Sequence, residues 1–464
     1  MPIRTRSRRS FFATLFAATL AATVLSGCPA PTNDSTATGS TTTGGGGKSP
    51  APAVAGDGIT IAWAEWEPAK QLEVLAKEFT AETKIPVTVQ QFPWSDFETK
   101  IKTAWSGQSA DYDLIIGDSQ WLGKAATAGH YEDITDWAKE NVTLADITPA
   151  ALNSYGEYPA GSGKLYALPA MADATVFAYR KDLFEDEANK TAFEKLYKHP
   201  LAPPKTWEEF AHVAEFFTQE DKKLYGAALY YARQYDGVTM GFDQVLWSYG
   251  GQLSDASGKK IEGVLNSPEG VKALEFYAGL KKFTPPGSEN HYFAECLTAF
   301  QEGQVAMAQS WFAFCPDLVN KDKNKFADKT GYFIVPKGPA GHFISLGGQG
   351  MSVSMYSKKK DQAKQFVKWF ESEEIQKKWA ALGGLTANAK VAKSEAFLKA
   401  TPYNAVFAES VPHLKDFYNT PEYSELLEPA QNYLNQAVAG AMPAKTALDT
   451  LAKEQQKVVD EAGK

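Results

Sequence analysis

Apolar residues in this chain fall into short strand-like runs, each followed by a stretch in which they recur every three or four positions. The first pair is GITIAWAEWEPAKQLEVLAKEFTAE, Gly58 to Glu82. Ile59-Thr60-Ile61-Ala62 carries branched side chains that favour a pleated, buried strand. Leu72, Leu75, Ala76 and Phe79 then mark one face of a helix. Val87-Thr88-Val89 predicts a second strand, with a helix from Ser95 to Trp105 behind it. Asp113-Leu114-Ile115-Ile116 predicts a third, short and apolar as a central parallel strand is. Three βα units in succession predict an α/β lobe built on a parallel sheet.

The loops that leave these strands lie at their carboxyl ends, where open α/β sheets bind ligands. The first holds Trp63, Glu65, Trp66 and Glu67, and the third holds Asp118, Ser119 and Trp121. Indole faces cover the C–H surface of a sugar and carboxylates accept from its hydroxyls, so this pairing points to a polar, ring-shaped ligand. The alternative is that Trp63 and Trp66 are core and the glutamates solvated.

Past Lys164 the pattern becomes two extended segments, Leu165 to Pro169 and Thr175 to Tyr179, broken at Asp173, the expected first crossing between lobes. Thr206 and Glu209 have the spacing of a capping box, Ser267-Pro268 opens another helix, and Ala294 to Gln301 predicts one more. Val305 to Ala308 reads as a strand. SLGGQGMSVS, Ser345 to Ser354, reads as a glycine-rich loop followed by a strand, and the chain beyond Lys359 as helical.

At 464 residues the chain exceeds what one core usually serves. Its net charge is −8, and −12 without the four arginines of the first 27 residues. Such a body argues against nucleic acid and against electrostatic docking on anionic lipid. Those arginines are an address: Ser7-Arg8-Arg9-Ser10-Phe11-Phe12 resembles a twin-arginine export signal, and the apolar run to Leu25 ends in Leu25-Ser26-Gly27-Cys28, which resembles a lipobox that lipidates Cys28. Pro29 to Gly56 is too poor in apolar residues to fold and reads as a tether. The remaining cysteines, Cys296 and Cys315, are expected either as a disulfide, given an oxidising location, or as two buried thiols. The six histidines show no metal-ligand spacing, and no metal or cofactor is expected.

ITIAWAEWEP, YDLIIGD, ATVFAYRKDLF, PKTWEEF, YGGQLSDASGK, FQEGQVAMAQSW, GGQGMSVSMYSKKKDQAKQFVKWF and NQAVAGAMPAKTALDTLAKEQQKV, in this order, resemble the sugar-binding family of bacterial extracellular solute-binding proteins, receptors of ABC importers. The resemblance implies an α/β, type II periplasmic-binding-protein fold: two lobes, each a mostly parallel sheet flanked by helices, joined by a hinge and closing on ligand. The expected boundaries are an export signal over 1–27, a tether over 28–57, lobe 1 over 58–172 and again over 310–351, and lobe 2 over 173–309 and 352–464. It implies ligand contacts at Trp63, Glu65, Trp66, Glu67, Asp118, Ser119, Trp121 and Asp173, at Tyr231, Arg233 and Asp243 in the second lobe, and at Trp311, Gly348 and Gln349. Asp243 has the alternative of capping a helix, Arg233 of pairing with a surface acid, and Gly348 of permitting an unusual backbone angle. The implied partners are a sugar or oligosaccharide, the permease subunits of an ABC importer, and a membrane reached through lipid on Cys28, with the protein an exported monomer and not an enzyme. The rival readings are a glycosidase using Glu65, Glu67, Asp118 and Asp173 as paired carboxylates, and a sugar sensor.

Overall fold

The computed structural model describes residues 58–463; the export signal, Cys28 and the tether lie outside them. The strands β1 (Ile59–Ala64), β2 (Val87–Phe92) and β3 (Leu114–Asp118) run parallel with β1 in the middle. Helices α1 (Glu67–Thr83) and α2 (Trp94–Ser106) return the chain between them, and α3 (Ser119–Thr127) follows β3 directly. The stripe Leu72, Leu75, Ala76 and Phe79 on α1 is buried, which is what its spacing required.

The strand β4 (Leu168–Arg180) is one element of 13 residues, where the sequence suggested two. Up to Ala174 it pairs antiparallel with β8 (Ile344–Val353), and from Thr175 onward with β6 (Val305–Trp311) and β7 (Thr330–Ile334). A single strand therefore serves both lobes and changes partners one residue past Asp173. All of it except Tyr179 is buried, as suits a strand covered on both faces.

The second lobe contains α4 (Trp207–Phe217), β5 (Tyr225–Ala228), α5 (Gly237–Ser248), α6 (Pro268–Gly279), α7 (Phe293–Gln301), β6 (Val305–Trp311) and β7 (Thr330–Ile334). Thr206 caps α4, accepting from the Glu209 amide at 3.1 Å, and Ser267 caps α6 in the same way. Only β5 and β6 pair in parallel here. The crossing strands β4 and β8 (Ile344–Val353) run in opposite senses, so the sheet, ordered β2-β1-β3-β8-β4-β6-β5, is mixed.

Two lobe boundaries fall elsewhere than expected. Within 310–351, assigned to the first lobe, β7 pairs with the second-lobe half of β4, and only β8 returns to β3. Within 352–464, assigned to the second lobe, α8 (Lys360–Phe370) and α9 (Glu373–Ala381) pack on the first lobe. Phe79 of α1 meets Phe366 and Trp369 at 5.0 and 5.3 Å, because the apolar face of α1 needs cover on its outer side. Past the short β9 (Leu414–Lys415), α10 (Tyr423–Val438) and α11 (Ala444–Ala462) join the second lobe, where Asn435 donates to the Tyr231 carbonyl at 2.8 Å.

SLGGQGMSVS is strand almost throughout rather than a loop. Its glycines allow close approach: a Cβ on Gly347 would lie 2.6 Å from the Trp311 ring, and one on Gly348 (φ +107°) would lie 2.6 Å from the Met171 carbonyl oxygen. Cys296 and Cys315 are free and buried, so the disulfide does not form. Each thiol instead bonds a different carbonyl, that of Leu229 and that of Trp311.

Candidate functional site

The carboxyl ends of β1, β2 and β3 face those of β5 and β6 across a cavity of about 570 Å³, within the range of small-molecule sites. The first lobe contributes Trp66 beyond β1, Trp94 at the start of α2, and Asp118, Ser119 and Gln120 where β3 turns into α3. The second contributes Gln234, Tyr235 and Asp236 ahead of α5, Tyr292 and Phe293 at the start of α7, and Phe314 after β6. The crossing strands supply Asp173, Trp311 and Gly347 to Gln349. Aromatic rings stand on both sides of the cavity. Trp66 meets Trp94 edge-on at 5.1 Å and Phe314 at 6.1 Å across the cleft, while Phe293 and Phe314 stack at 4.4 Å.

Three carboxyls organise the polar part, two buried (Asp173 and Asp236) and one, Asp118, half-buried. Asp118 ends β3 and accepts from the Tyr235 hydroxyl of the opposite lobe, from Gln349, and from Gln120 at 3.2 Å. Gln349 in turn accepts from the Trp63 indole, so Trp63, Gln349 and Asp118 form a chain that fixes the carboxyl from behind. Asp173 is bonded by the amides of Ala174 at 2.8 Å and Ala313 at 3.2 Å. Asp236 precedes α5 but turns its carboxyl away from the helix end, to the Tyr292 hydroxyl.

Burial raises all three carboxyls from the usual carboxylate range: Asp118 to about 6, Asp236 to about 7 and Asp173 to about 8, each against hydrogen bonds that pull it down. Asp416, whose carboxyl accepts from Ser119 at 3.4 Å, is raised to about 6 by the same cause. The indole N–H groups of Trp66 and Trp94 and the side-chain oxygen of Gln120 are buried without a partner.

Of the residues expected from the sequence, Trp66, Asp118, Ser119, Asp173, Trp311, Gly348 and Gln349 line this cavity. The others stand elsewhere. Trp63 has no exposed surface, being inside β1 with its ring 6.5 Å from Trp379. Glu65 and Glu67 are exposed, and Glu67 opens α1 and pairs with Lys70 at 3.6 Å. Trp121 points into the first core, 5.2 Å from Phe97. Tyr231 is core, its hydroxyl on the Tyr277 carbonyl at 3.0 Å. Arg233 is exposed beside Glu425 and Glu428 in a separate surface groove. Asp243 is buried within α5, and its nearest compensating charge is Lys415.

Sequence reasoning passed over Trp94, Glu98, Gln120, Tyr235, Asp236, Tyr292, Phe293, Phe314 and Phe417. Trp94 was accessible to it, since it stands at the carboxyl end of β2 just as Trp66 does at that of β1. Phe417 lies in an aperiodic connection after β9 and gave no signal.

Residues 63–377 match bacterial extracellular solute-binding proteins as a family. The chain is 26% identical over 337 residues to a probable amino-acid ABC transporter periplasmic-binding protein of Sinorhizobium fredii, covering 71% of this chain and 72% of that one. It is 26% identical to the mannitol-binding protein of Pseudomonas aeruginosa over 75% of this chain and 80% of that one. An ABC transporter solute-binding protein from Agrobacterium radiobacter K84, solved in complex with ribitol, superposes with a TM-score of 0.74 at 28% identity, over 87% of this chain and 99% of the other.

Proposed function

This chain belongs to the bacterial extracellular solute-binding proteins, a family of binding proteins rather than enzymes, and on that premise we propose that it captures a sugar or sugar alcohol between its lobes and hands it to the permease of an ABC importer. The observation that carries the reading is the cavity: indole and phenyl faces on both sides, with hydrogen-bonding groups held at its centre from both lobes. Aromatic faces bury the C–H surface of a polyol, and the unpaired indole N–H groups of Trp66 and Trp94 meet hydroxyl oxygens. Relatives named or solved with mannitol and ribitol support this class. Ligand contacts are proposed for Trp66, Asp118, Asp173, Trp311 and Gln349.

The ligand touches both lobes, so it binds the closed form better, and that difference in affinity drives closure. The permease reads the spacing of the lobes. Export, and attachment near the membrane through lipid on Cys28, rest on the lipobox-like Leu25 to Cys28. The test is a thermal-shift screen of hexoses, disaccharides and C4 to C6 polyols, since a ligand that binds only the folded state raises its melting temperature. Hits are then titrated into the Trp311→Ala variant. A stacked ring contributes on the order of 1–3 kcal/mol, so affinity should fall by roughly 5- to 150-fold. A screen with no hit at millimolar concentration, or a variant that binds as tightly as the parent, overturns the reading.

A further inference from the structure

The cavity has a charge balance that a neutral polyol leaves unanswered. Its lining includes Glu98, Asp118, Asp173 and Asp236, and none of the described residues that line it is Lys, Arg or His. Glu98 is paired with Lys102 at 2.6 Å. The other three have only neutral donors: phenols, side-chain amides and backbone N–H groups. Acids withdrawn from water in one site with no cation among them, two buried and Asp118 half-buried, lose solvation that neutral hydrogen bonds only partly restore. Such a site either holds protons or receives a positive charge.

A second, independent feature asks for a donor. Gln120 is 2% exposed, and its amide nitrogen is committed to Asp118 at 3.2 Å and to the Tyr235 oxygen at 2.7 Å. Its side-chain oxygen is left buried with no donor, on a residue that lines the cavity. An ammonium group offers three donors and no acceptor, and the ring faces of Trp66, Trp94 and Trp311 around it favour a cation. The unpaired indole N–H groups need acceptors, which an ammonium lacks and hydroxyls supply.

We infer that the ligand is an amino sugar or amino polyol, its ammonium group set among Asp118, Asp236 and Gln120 and its hydroxyls against the indole N–H groups. This rests on the polyol reading given above and narrows it. Burial already keeps Asp118, Asp236 and Asp173 partly protonated near neutrality, with Glu98 and Asp416 the other acids around them. An entering cation favours the ionised carboxylates and displaces those protons, whereas a neutral ligand gives no such release.

The experiment is calorimetric titration of the intact protein with matched sets that differ only in the charged group. One set is D-glucamine against D-glucitol. Others are glucosamine, galactosamine and mannosamine, each against its parent hexose and its N-acetyl derivative. The expected result is at least one amine that binds tenfold or more tighter than both neutral counterparts. Its binding should release protons, seen as heats that depend on the ionisation enthalpy of the buffer, and should strengthen as pH rises from 5.5 to 7.5. Asp118→Asn and Asp236→Asn should each erase most of the preference for the amine. A neutral polyol that binds tighter than every amine, without proton release, overturns the inference and leaves the polyol reading standing. Putrescine binding as tightly as the best amino sugar, or no polyol of any charge binding, overturns the polyol reading itself.

Discussion

Replacing Tyr235 by Phe isolates the contact that ties the lobes together. Tyr235 stands at φ +51°, in the left-handed region that non-glycine residues seldom occupy, which aims its ring across the cleft. Its hydroxyl donates to Asp118 and accepts from Gln120 at 2.7 Å, both on the opposite lobe. The substitution keeps the ring, whose centroid is 6.0 Å from that of Trp94, so packing is preserved. It removes two hydrogen bonds present only when the lobes are together. A net hydrogen bond contributes about 1 kcal/mol, and one to a charged group about 1.5–3 kcal/mol. Because Asp118 is held up at about 6 and is partly protonated below neutrality, the low end applies, about 2 kcal/mol in total, or about 30-fold in the closed-to-open ratio. Where the closed state must form first, apparent affinity falls by up to that factor. Titration of parent and Y235F with the same polyol reads the affinity, and small-angle scattering of the ligand-free proteins reads the closure. The variant is expected to have the larger radius of gyration. Equal affinity within twofold together with unchanged scattering would refute the latch.

Other substitutions and conditions test the surrounding chemistry. Gly347→Ala places a methyl group 2.6 Å from the Trp311 ring; overpacking of this kind costs about 1–3 kcal/mol of stability and tilts the indole into the cavity, so ligand affinity should drop along with the melting temperature, and an unchanged affinity would remove Trp311 from the site. Asp118, Asp236 and Asp173 bind protons more tightly folded, at about 6, 7 and 8, than unfolded near 3.8. The native state therefore holds more protons between those values, and the ligand-free protein should lose stability as pH rises from 4 to 8; Asp173→Asn should flatten the upper part of that curve, and a melting temperature that climbs over this range would contradict the burial of these acids. Thiol titration of the denatured, unreduced protein, followed by peptide mapping, should find Cys296 and Cys315 both reactive, and a linked peptide pair would show that the bridge forms after all.

How far the sequence discloses this molecule depends on whether a residue sits inside a periodic run. The apolar stripe of α1 and the apolar third strand identify their elements because the packing that buries them is what produced the spacing. Trp63 and Trp66 show the limit. Both stand near the end of β1, and an indole there can face ligand or core. The strand extends to Ala64, so Trp63 is inside the sheet and wholly buried, while Trp66 lies past the strand and reaches the cavity. A boundary misjudged by two residues exchanges their roles. Tyr231 and Tyr235 pose the same problem with less help, because the stretch between β5 and α5 has no period to phase it. There the left-handed angle at Tyr235 decides which phenol crosses the cleft.

Asp173 is legible for the opposite reason. It interrupts a run in which nearly every neighbour is apolar and buried, and a charge that violates an otherwise consistent pattern is retained only where something outside the pattern requires it. Here the requirement is twofold. The strand changes partners one residue past it, from β8 to β6, and the same carboxyl takes the amide of Ala174, the next residue of β4, and that of Ala313, in the turn just past β6. Asp236 has an equivalent place in the cavity, but it follows an aperiodic loop, so no pattern exists for it to break. Asp173 and Asp236 are both buried in the fold and unequally visible in the sequence, and the difference lies in their neighbours rather than in their chemistry.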